Sequence, residues 1–316
     1  MKTISDRKFL IVITGPTAVG KTDLCIKLAK DFNTEIISAD SRQFYKELKI
    51  GTAVPTPQQL NEVKHHFIQH KSVIDYYNAY KFEEDVINFL NEFYKKNKLI
   101  FLTGGSGLYI DAVCNGIDLI PDVDVEIREL MINKYKTEGI DSLRFELKKL
   151  DPELYNQIDL KNHQRILRAL EVIYQTGKPF SSFRTQIKKS RDFITVKVVL
   201  NRERTELHNR INNRVDKMIE EGLLEEVRSL INFKDKYALK TVGYRELFDF
   251  IEGKITLDEA IELIKRNTRR YARKQLTWFR KDKSYKWFHP DDYMEIKNYI
   301  YKTINQQNMV DARKGV

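Results

Sequence analysis

Residues Gly15 to Thr22 read GPTAVGKT, which satisfies the phosphate-binding pattern G-x-x-x-x-G-K-[ST]. In such a loop, backbone N–H groups and the N-terminus of the following helix converge on phosphate oxygens, and the lysine adds a fixed positive charge. The threonine hydroxyl can hold Mg²⁺. The residues predicted to bind a di- or triphosphate are Gly15, Pro16, Thr17, Ala18, Val19, Gly20, Lys21 and Thr22, with Thr22 as the metal ligand.

Asp40 is the acid placed to take part in a reaction. A P-loop ATPase usually has an acidic residue at the end of a neighbouring strand, where it holds Mg²⁺ or a water molecule. Here the strand in KLIFLTGGSGLY ends in Thr103 and two glycines, and the acid at a strand end is Asp40, in EIISADSRQ. Ser41, Arg42 and Gln43 follow it and are polar groups suited to hold an acceptor. The pattern leaves three roles open for Asp40: a Mg²⁺ ligand, a base acting on an acceptor, or the cap of the next helix.

Arg214 is a third candidate for chemistry. It lies at the edge of the apolar stripe of a predicted helix, Glu206–Ile219, whose stripe is formed by Leu207, Ile211, Val215 and Met218. An arginine that faces inward is costly without an anionic partner. The pattern alone allows an internal carboxylate or a bound phosphate as that partner.

The elements around these residues predict an α/β fold. Short apolar runs typical of buried parallel strands are Phe9–Ile13, Glu35–Ala39, Leu99–Thr103 and Thr195–Leu200, and helical patterns separate the first three. We therefore predict a P-loop NTPase-like parallel sheet flanked by helices. The segment 116–191 is helical and charged, which predicts a helical insertion domain. The core then comprises residues 1–115 and 192–290, and residues 291–316 form a C-terminal helical tail.

Charge and composition favour a polyanionic partner. The net charge is +10, and the segment 265–286 carries ten lysines and arginines against only Asp282, with Tyr271, Trp278 and Phe279 interleaved. Cations can neutralise phosphates while aromatic rings stack on bases, although Trp278 and Phe279 also fit a core-facing side of the helix. The two cysteines form no metal or disulfide pattern, and no run of about 18 apolar residues is present. We expect a cytoplasmic protein that makes no membrane contact.

Several motifs together resemble the bacterial tRNA dimethylallyltransferases, the tRNA isopentenyltransferase family. The matching segments run in family order from about residue 10 to residue 281: GPTAVGKT, ISADSRQFYKELKIGTA, LTGGSGLYI, HQRILRALEVIYQTGKPF, NRVDKMIEEGLLEEV, TVGYRE and YARKQLTWFRK. The resemblance implies transfer of a dimethylallyl group from dimethylallyl diphosphate to N6 of the adenosine immediately 3′ of the anticodon in tRNA. The products are N6-(dimethylallyl)adenosine and diphosphate, and ATP is not hydrolysed.

The resemblance also implies roles for individual residues. Asp40 accepts the N6 proton as general base, Thr103 orients the amine and the diphosphate, and Arg214 contacts the diphosphate, with Mg²⁺ as cofactor. The residues expected to contact the anticodon stem-loop are Asp40, Ser41, Arg42, Gln43, Gln164, Arg165, Ile166, Leu167, Arg168, Lys240, Gly243, Tyr244, Arg245, Arg269, Arg273 and Lys274. Two departures from the family, Val54 and the segment HHFIQHKSV, put local contacts between Lys49 and Val73 in doubt. One asymmetric tRNA per chain favours a monomer.

Three other functions remain open from the sequence. A prenyltransferase acting on free AMP or ADP would need neither the insertion nor the basic C-terminal helix, and both are present. A small-molecule kinase could use ATP through the same loop, with Asp40 activating a hydroxyl group; the missing strand-end acid argues only mildly against it. A non-enzymatic RNA-binding switch would not need Lys21, Thr22, Asp40, Thr103 and Arg214 together.

Overall fold

The computed structural model describes residues 7–185 and 187–312. The chain divides into two compact units: Gly116–Lys189 forms one, and the segments before and after it form the other. The predicted insertion, 116–191, begins at the same residue and extends two residues further than this unit. Residues 1–6 of the predicted core and 313–316 of the predicted tail lie outside the described residues.

A parallel sheet organises the first unit. Its strands are β1 (Phe9–Thr14), β2 (Ile36–Ser38), β3 (His65–His66), β4 (Leu99–Gly104), β5 (Ile194–Leu200) and β6 (Lys286–Phe288), in the order β3-β2-β4-β1-β5-β6. All pairs are parallel. The four predicted strands are present, each within one residue at either end. The sequence patterns did not predict β3 and β6, which have two and three residues and lie at the edges.

Helices cover both faces of this sheet. In the first unit they are α1 (Lys21–Asp31), α2 (Pro57–Glu62), α3 (Ala79–Phe93), α4 (Gly107–Asn115), α8 (Arg204–Glu220), α9 (Leu223–Ser229), α10 (Tyr244–Ile251), α11 (Leu257–Phe279) and α12 (Tyr293–Ala312). Every residue of β1 is buried, with Leu10 and Val12 in one apolar cluster and Ile11 and Ile13 in the other. Burial on both faces explains why β1 reads as a continuous apolar run.

The C-terminal helix α12 is part of the first unit and not a separate tail. Ile296 and Ile300 are fully buried in the same apolar cluster as α1, and Tyr293 and Lys297 both donate hydrogen bonds to Asp31 of α1. These contacts correct the predicted boundary at residue 291, because an amphipathic helix with such a buried stripe packs onto the core.

The second unit is helical, as predicted. It contains α5 (Val125–Leu150), α6 (Pro152–Gln157) and α7 (His163–Thr176), and α5 is interrupted at Gly139, whose φ is 78°. Its small core includes Met131, Leu143, Leu147, Ile166 and Leu170. Over the described residues, no helix is both long and apolar enough to span a bilayer.

Candidate active site

The loop between β1 and α1 has the backbone of an anion-binding nest. Gly15 and Gly20 have φ values of 150° and 105°, and Ala18 lies in the left-handed region at 63°. A Cβ atom on Gly15 would lie 2.5 Å from the carbonyl oxygen of Leu200, so this position requires glycine. The loop leads into the N-terminus of α1, where free N–H groups and the helix dipole favour a bound anion.

Lys21 lies inside this loop and folds back over it. Its Nζ atom donates hydrogen bonds to the carbonyl oxygens of Gly15 at 3.1 Å and Pro16 at 2.7 Å. Burial lowers the pKa of Lys21 to about 8; the nearby Asp40 carboxylate opposes this shift and the Arg214 guanidinium adds to it. A bound anion would therefore stabilise the charged form of Lys21.

Three arginines contact successive residues of the loop. Arg214 Nη1 donates to Thr17 Oγ1 at 3.3 Å, Arg210 Nε to the Ala18 carbonyl at 2.8 Å, and Arg202 Nε to the Val19 carbonyl at 2.9 Å. By holding the Ala18 and Val19 carbonyls, Arg210 and Arg202 fix the direction of the loop backbone. The sequence interpretation found Arg214 and missed the other two, although Arg210 precedes it by four residues and so shares its helix face.

Asp40 lies two residues after the end of β2 and next to Ala39, which is hydrogen-bonded to the end of β4. Its Oδ1 atom accepts a hydrogen bond from the backbone N–H of Arg42 at 3.0 Å, which fixes the carboxylate in a turn. The next helix, α2, begins only at Pro57 and is capped by Thr56. The interpretation of Asp40 as the cap of the next helix is therefore wrong. Burial lowers the pKa values of Lys21 and Arg214, and the Asp40 carboxylate opposes both shifts, which places it within electrostatic reach of the phosphate loop.

The end of β4 joins the other two strand ends. Thr103 Oγ1 donates to the carbonyl of Ile13 at 2.9 Å, and the backbone carbonyl of Thr103 accepts from the N–H of Ala39 at 2.7 Å. A Cβ atom on Gly104 would lie 2.3 Å from the carbonyl oxygen of Ala39. The glycine therefore permits the close approach between the end of β4 and Ala39, the residue before Asp40.

The residues after Asp40 differ in what they offer to a substrate. Ser41 is held by Ser106, whose Oγ accepts from the Ser41 N–H at 2.9 Å. The Gln43 amide is used within the protein: Oε1 accepts from Ser38 Oγ at 3.1 Å, and Nε2 donates to the carbonyls of Thr52 and Ala53 at 3.2 and 2.9 Å. Gln43 thus positions this segment. Arg42 is half-buried, and its guanidinium lies 5.0 Å from the ring centroid of Tyr237.

Gln275 of α11 is a site residue that the sequence interpretation missed. Its side chain is 6% exposed, and its Oε1 accepts the backbone N–H of Thr17 at 2.9 Å. Its Nε2 donates to the carbonyl of Gly105 at 2.9 Å. One buried amide therefore connects the phosphate loop to the turn after β4. The sequence pattern of this basic helix gives no sign that its glutamine has a different role from the neighbouring residues.

The predicted RNA-contacting residues of the first unit fall into two groups. Lys240, Arg245, Arg273 and Lys274 are exposed, and Arg269 is half-buried with its Nη1 donating to Asn212 at 2.6 Å. Gly243 and Tyr244 are buried, and the Tyr244 hydroxyl donates to Glu226 at 2.6 Å. Tyr244 belongs to the core and Gly243 is the N-cap of α10, and the direct RNA contact of these two residues stays a prediction.

In the second unit, α7 presents only part of its predicted contact set. Gln164 and Arg165 are exposed. Ile166 and Leu167 are 0% and 8% exposed within the core of this unit, and their role in RNA contact stays a prediction. Arg168 is half-buried and its Nη2 donates to the carbonyl of Pro121 at 3.0 Å.

Comparisons with known proteins agree on one family. A model of the family described as IPP transferase matches residues 43–282. The tRNA dimethylallyltransferase 1 of Bacteroides fragilis is 52% identical over 94% of this chain and 99% of that protein. That of Christiangramia forsetii is 52% identical over 94% and 99%.

Solved structures extend the agreement to the fold. The tRNA isopentenylpyrophosphate transferase of Bacillus halodurans matches 97% of this chain and 100% of its own, with 36% identity and a TM-score of 0.72. A eukaryotic dimethylallyltransferase acting on tRNA matches 96% of this chain and 80% of its own, with 25% identity and a TM-score of 0.76. The predicted fold class, a P-loop NTPase-like parallel sheet flanked by helices, is confirmed. With a family model that matches well over half of its residues and relatives of this identity, the chain belongs to the IPP transferase family.

Proposed function

We propose that the protein transfers a dimethylallyl group from dimethylallyl diphosphate to N6 of the adenosine immediately 3′ of the anticodon in tRNA. The observation that carries this proposal is the meeting of a cation-lined phosphate loop and one carboxylate at neighbouring strand ends. The relatives named tRNA dimethylallyltransferase support the choice of substrates.

The reaction requires a nucleophile, a leaving group and a base. The N6 lone pair forms a bond to C1 of the dimethylallyl group while the bond from C1 to the diphosphate oxygen breaks. The diphosphate leaves with that electron pair, and the N6 proton passes to a carboxylate oxygen of Asp40. Lys21, Arg214 and the loop N–H groups stabilise the negative charge that grows on the leaving group.

Thr103 is suited to orient the amine. Its hydroxyl proton is used in the bond to the Ile13 carbonyl and its side chain also contacts the Cys25 thiol, which leaves one lone pair of Oγ1 as an acceptor for an N6 proton. An acceptor beside Asp40 would hold one amine proton while Asp40 receives the other. Thr103 therefore serves as an orienting residue and Asp40 as the base.

Mg²⁺ is proposed as the cofactor, with Thr22 as its protein ligand. Thr22 is the second residue of α1, at the mouth of the loop. Among residues 7–185 and 187–312, no group of three or more His, Cys, Asp or Glu side chains is arranged to hold a metal ion. One hydroxyl fits Mg²⁺ because this ion takes few protein ligands and completes its octahedron with phosphate oxygens and water. When bound, it supplies positive charge to the diphosphate.

The tRNA partner is proposed from charge and the relatives. Arg273 and Lys274 on α11 are exposed, as are Lys240 and Arg245 before and within α10, and such cations bind RNA phosphates. The target base is stacked inside the anticodon loop, so it must be extruded to reach Asp40. We further propose that one chain acts on one tRNA as a monomer in the cytoplasm.

Labelled dimethylallyl diphosphate, unmodified tRNA and Mg²⁺ test this function directly. Nucleoside analysis after the incubation should show label in N6-(dimethylallyl)adenosine, and a tRNA with guanosine at the target position should remain unlabelled. Consumption of ATP stimulated by tRNA would instead favour the kinase or switch. Label in free AMP or ADP, without label in tRNA, would favour the prenyltransferase of free nucleotides.

A further inference from the structure

Tyr237 is an exposed aromatic residue on a firmly anchored turn. It begins the 3₁₀ turn Tyr237–Leu239, in which Ala238 and Leu239 are 2% and 0% exposed while Tyr237 is 72% exposed. The turn is closed by a hydrogen bond from the Leu239 N–H to the Lys236 carbonyl at 3.0 Å. The two buried side chains fix the turn to the core, so the ring of Tyr237 is presented to solvent in a defined place.

This ring is connected to the candidate base through Arg42. The Arg42 guanidinium lies 5.0 Å from the Tyr237 ring centroid, within the range of a cation–π contact. The backbone N–H of the same arginine donates to Asp40 Oδ1 at 3.0 Å. Arg42 therefore links the Tyr237 ring to the turn that holds the Asp40 carboxylate.

Tyr109 and Tyr271 lie within electrostatic reach of the same arginine. Tyr271 is 41% exposed, and Tyr76, which lies near Tyr109, is 49% exposed. Arg42 is near enough to lower the pKa of Tyr109, against the burial that raises it, and the Tyr109 hydroxyl is also within electrostatic reach of Tyr237 and Tyr76. Aromatic rings exposed beside a guanidinium and near exposed cations are typical of surfaces that bind unpaired nucleic-acid bases.

We propose that Tyr237 is a base-stacking residue whose exposed ring binds an unpaired base of the RNA loop next to the base offered to Asp40. This inference rests on the proposed function for the identity of the RNA. The Arg42 guanidinium lies beside the Tyr237 ring and covers it from one side, whereas the rest of the ring is exposed. A planar base can stack on this exposed aromatic surface, and we therefore take a base as the ligand. Lys240, three residues later and exposed, is placed to contact a phosphate of the same strand.

The first test measures binding of unmodified tRNA by fluorescence anisotropy for the wild type, Tyr237→Ala and Tyr237→Phe. Stacking of one base on an aromatic ring corresponds to a roughly 5- to 150-fold change in the dissociation constant. We expect a loss of this size for Tyr237→Ala, no more than about twofold for Tyr237→Phe, and an unchanged slope of affinity against salt concentration. The KM for dimethylallyl diphosphate should stay constant. Tyr301→Ala, which removes an aromatic ring 40% exposed on α12, is the matched control and should bind like the wild type.

The second test identifies the base. Synthetic anticodon stem-loops, each with one abasic nucleotide in the loop, are bound to the wild type and to Tyr237→Ala. One abasic position next to the target adenosine should weaken binding to the wild type and have no further effect on the alanine variant. Equal effects in both proteins at every position, or equal losses for Tyr237→Ala and Tyr237→Phe, would overturn the inference. If the wild type binds and prenylates tRNA and Tyr237→Ala binds it equally well, the stacking role is refuted and the proposed function stands. If the wild type binds no tRNA, both the stacking role and the proposed function are overturned.

Discussion

Replacing Gln275 by leucine tests whether one buried amide holds the phosphate loop and the turn after β4 together. Leucine has a similar volume and no polar atoms, so the substitution removes two hydrogen bonds, both of 2.9 Å, without a large cavity. It leaves the Thr17 N–H and the Gly105 carbonyl without their partner. An orphaned buried group costs about 1–3 kcal/mol, so the two together cost roughly 2–6 kcal/mol.

Solvent exposure of the Thr17 N–H and burial of the Gly105 carbonyl decide where in this range the loss of stability falls. Gly105 is buried, whereas Thr17 is half-buried and water can replace part of its lost bond. We therefore expect the free energy of unfolding to fall by roughly 2–3 kcal/mol, measured by urea denaturation with an unchanged m-value. The Kd for dimethylallyl diphosphate should also rise, because the loop N–H groups lose their fixed direction. Gln306→Leu, an exposed position on α12, is the control and should change stability by less than about 0.5 kcal/mol. If Gln275→Leu unfolds at the same urea concentration as this control, the reasoning is refuted.

Three further predictions concern charge and burial. Affinity for dimethylallyl diphosphate, measured by calorimetry, should fall as the pH rises from about 7 to about 10. The reason is that the pKa of Lys21 in the free protein is about 8 and the bound anion requires the charged form of this lysine. Lys21→Met should remove this pH dependence. Tyr244→Phe should lower the free energy of unfolding by about 1 kcal/mol through loss of its bond to Glu226, with the Kd for tRNA unchanged. Weaker binding of tRNA would instead identify the Tyr244 hydroxyl as an RNA contact. Arg273→Ala with Lys274→Ala should reduce the slope of log affinity against log salt by about 1.5, and an unchanged slope would place the RNA elsewhere.

The sheet and the phosphate loop could be predicted because their signals are local. β1 and β4 are apolar runs buried by the sheet, and GPTAVGKT requires glycine where the backbone has positive φ. The edge strand β3 could not be predicted, because two histidines form neither an alternating nor an apolar pattern. Its pairing with β2 is imposed by the tertiary structure.

The site was only partly predictable because motifs do not separate framework residues from contact residues. The segment QRILR includes Ile166 and Leu167, which the helical periodicity of α7 places inside its unit. Tyr244 was likewise assigned to RNA from its motif, and the motif did not show that its ring is buried and its hydroxyl donates to Glu226. Gln275 was missed for the opposite reason: its partners lie far away in sequence, on Thr17 and Gly105, and only the fold brings them together.

Single-turnover transfer by Asp40→Asn tests the central claim most directly. Asparagine keeps an Oδ1 acceptor for the Arg42 N–H, so the turn should be preserved while the base is lost. With saturating dimethylallyl diphosphate and tRNA, we predict a Kd for tRNA within about twofold of the wild type and a transfer rate lower by roughly 10²- to 10⁴-fold. A transfer rate close to that of the wild type would contradict the assignment of Asp40 as the group that takes the N6 proton.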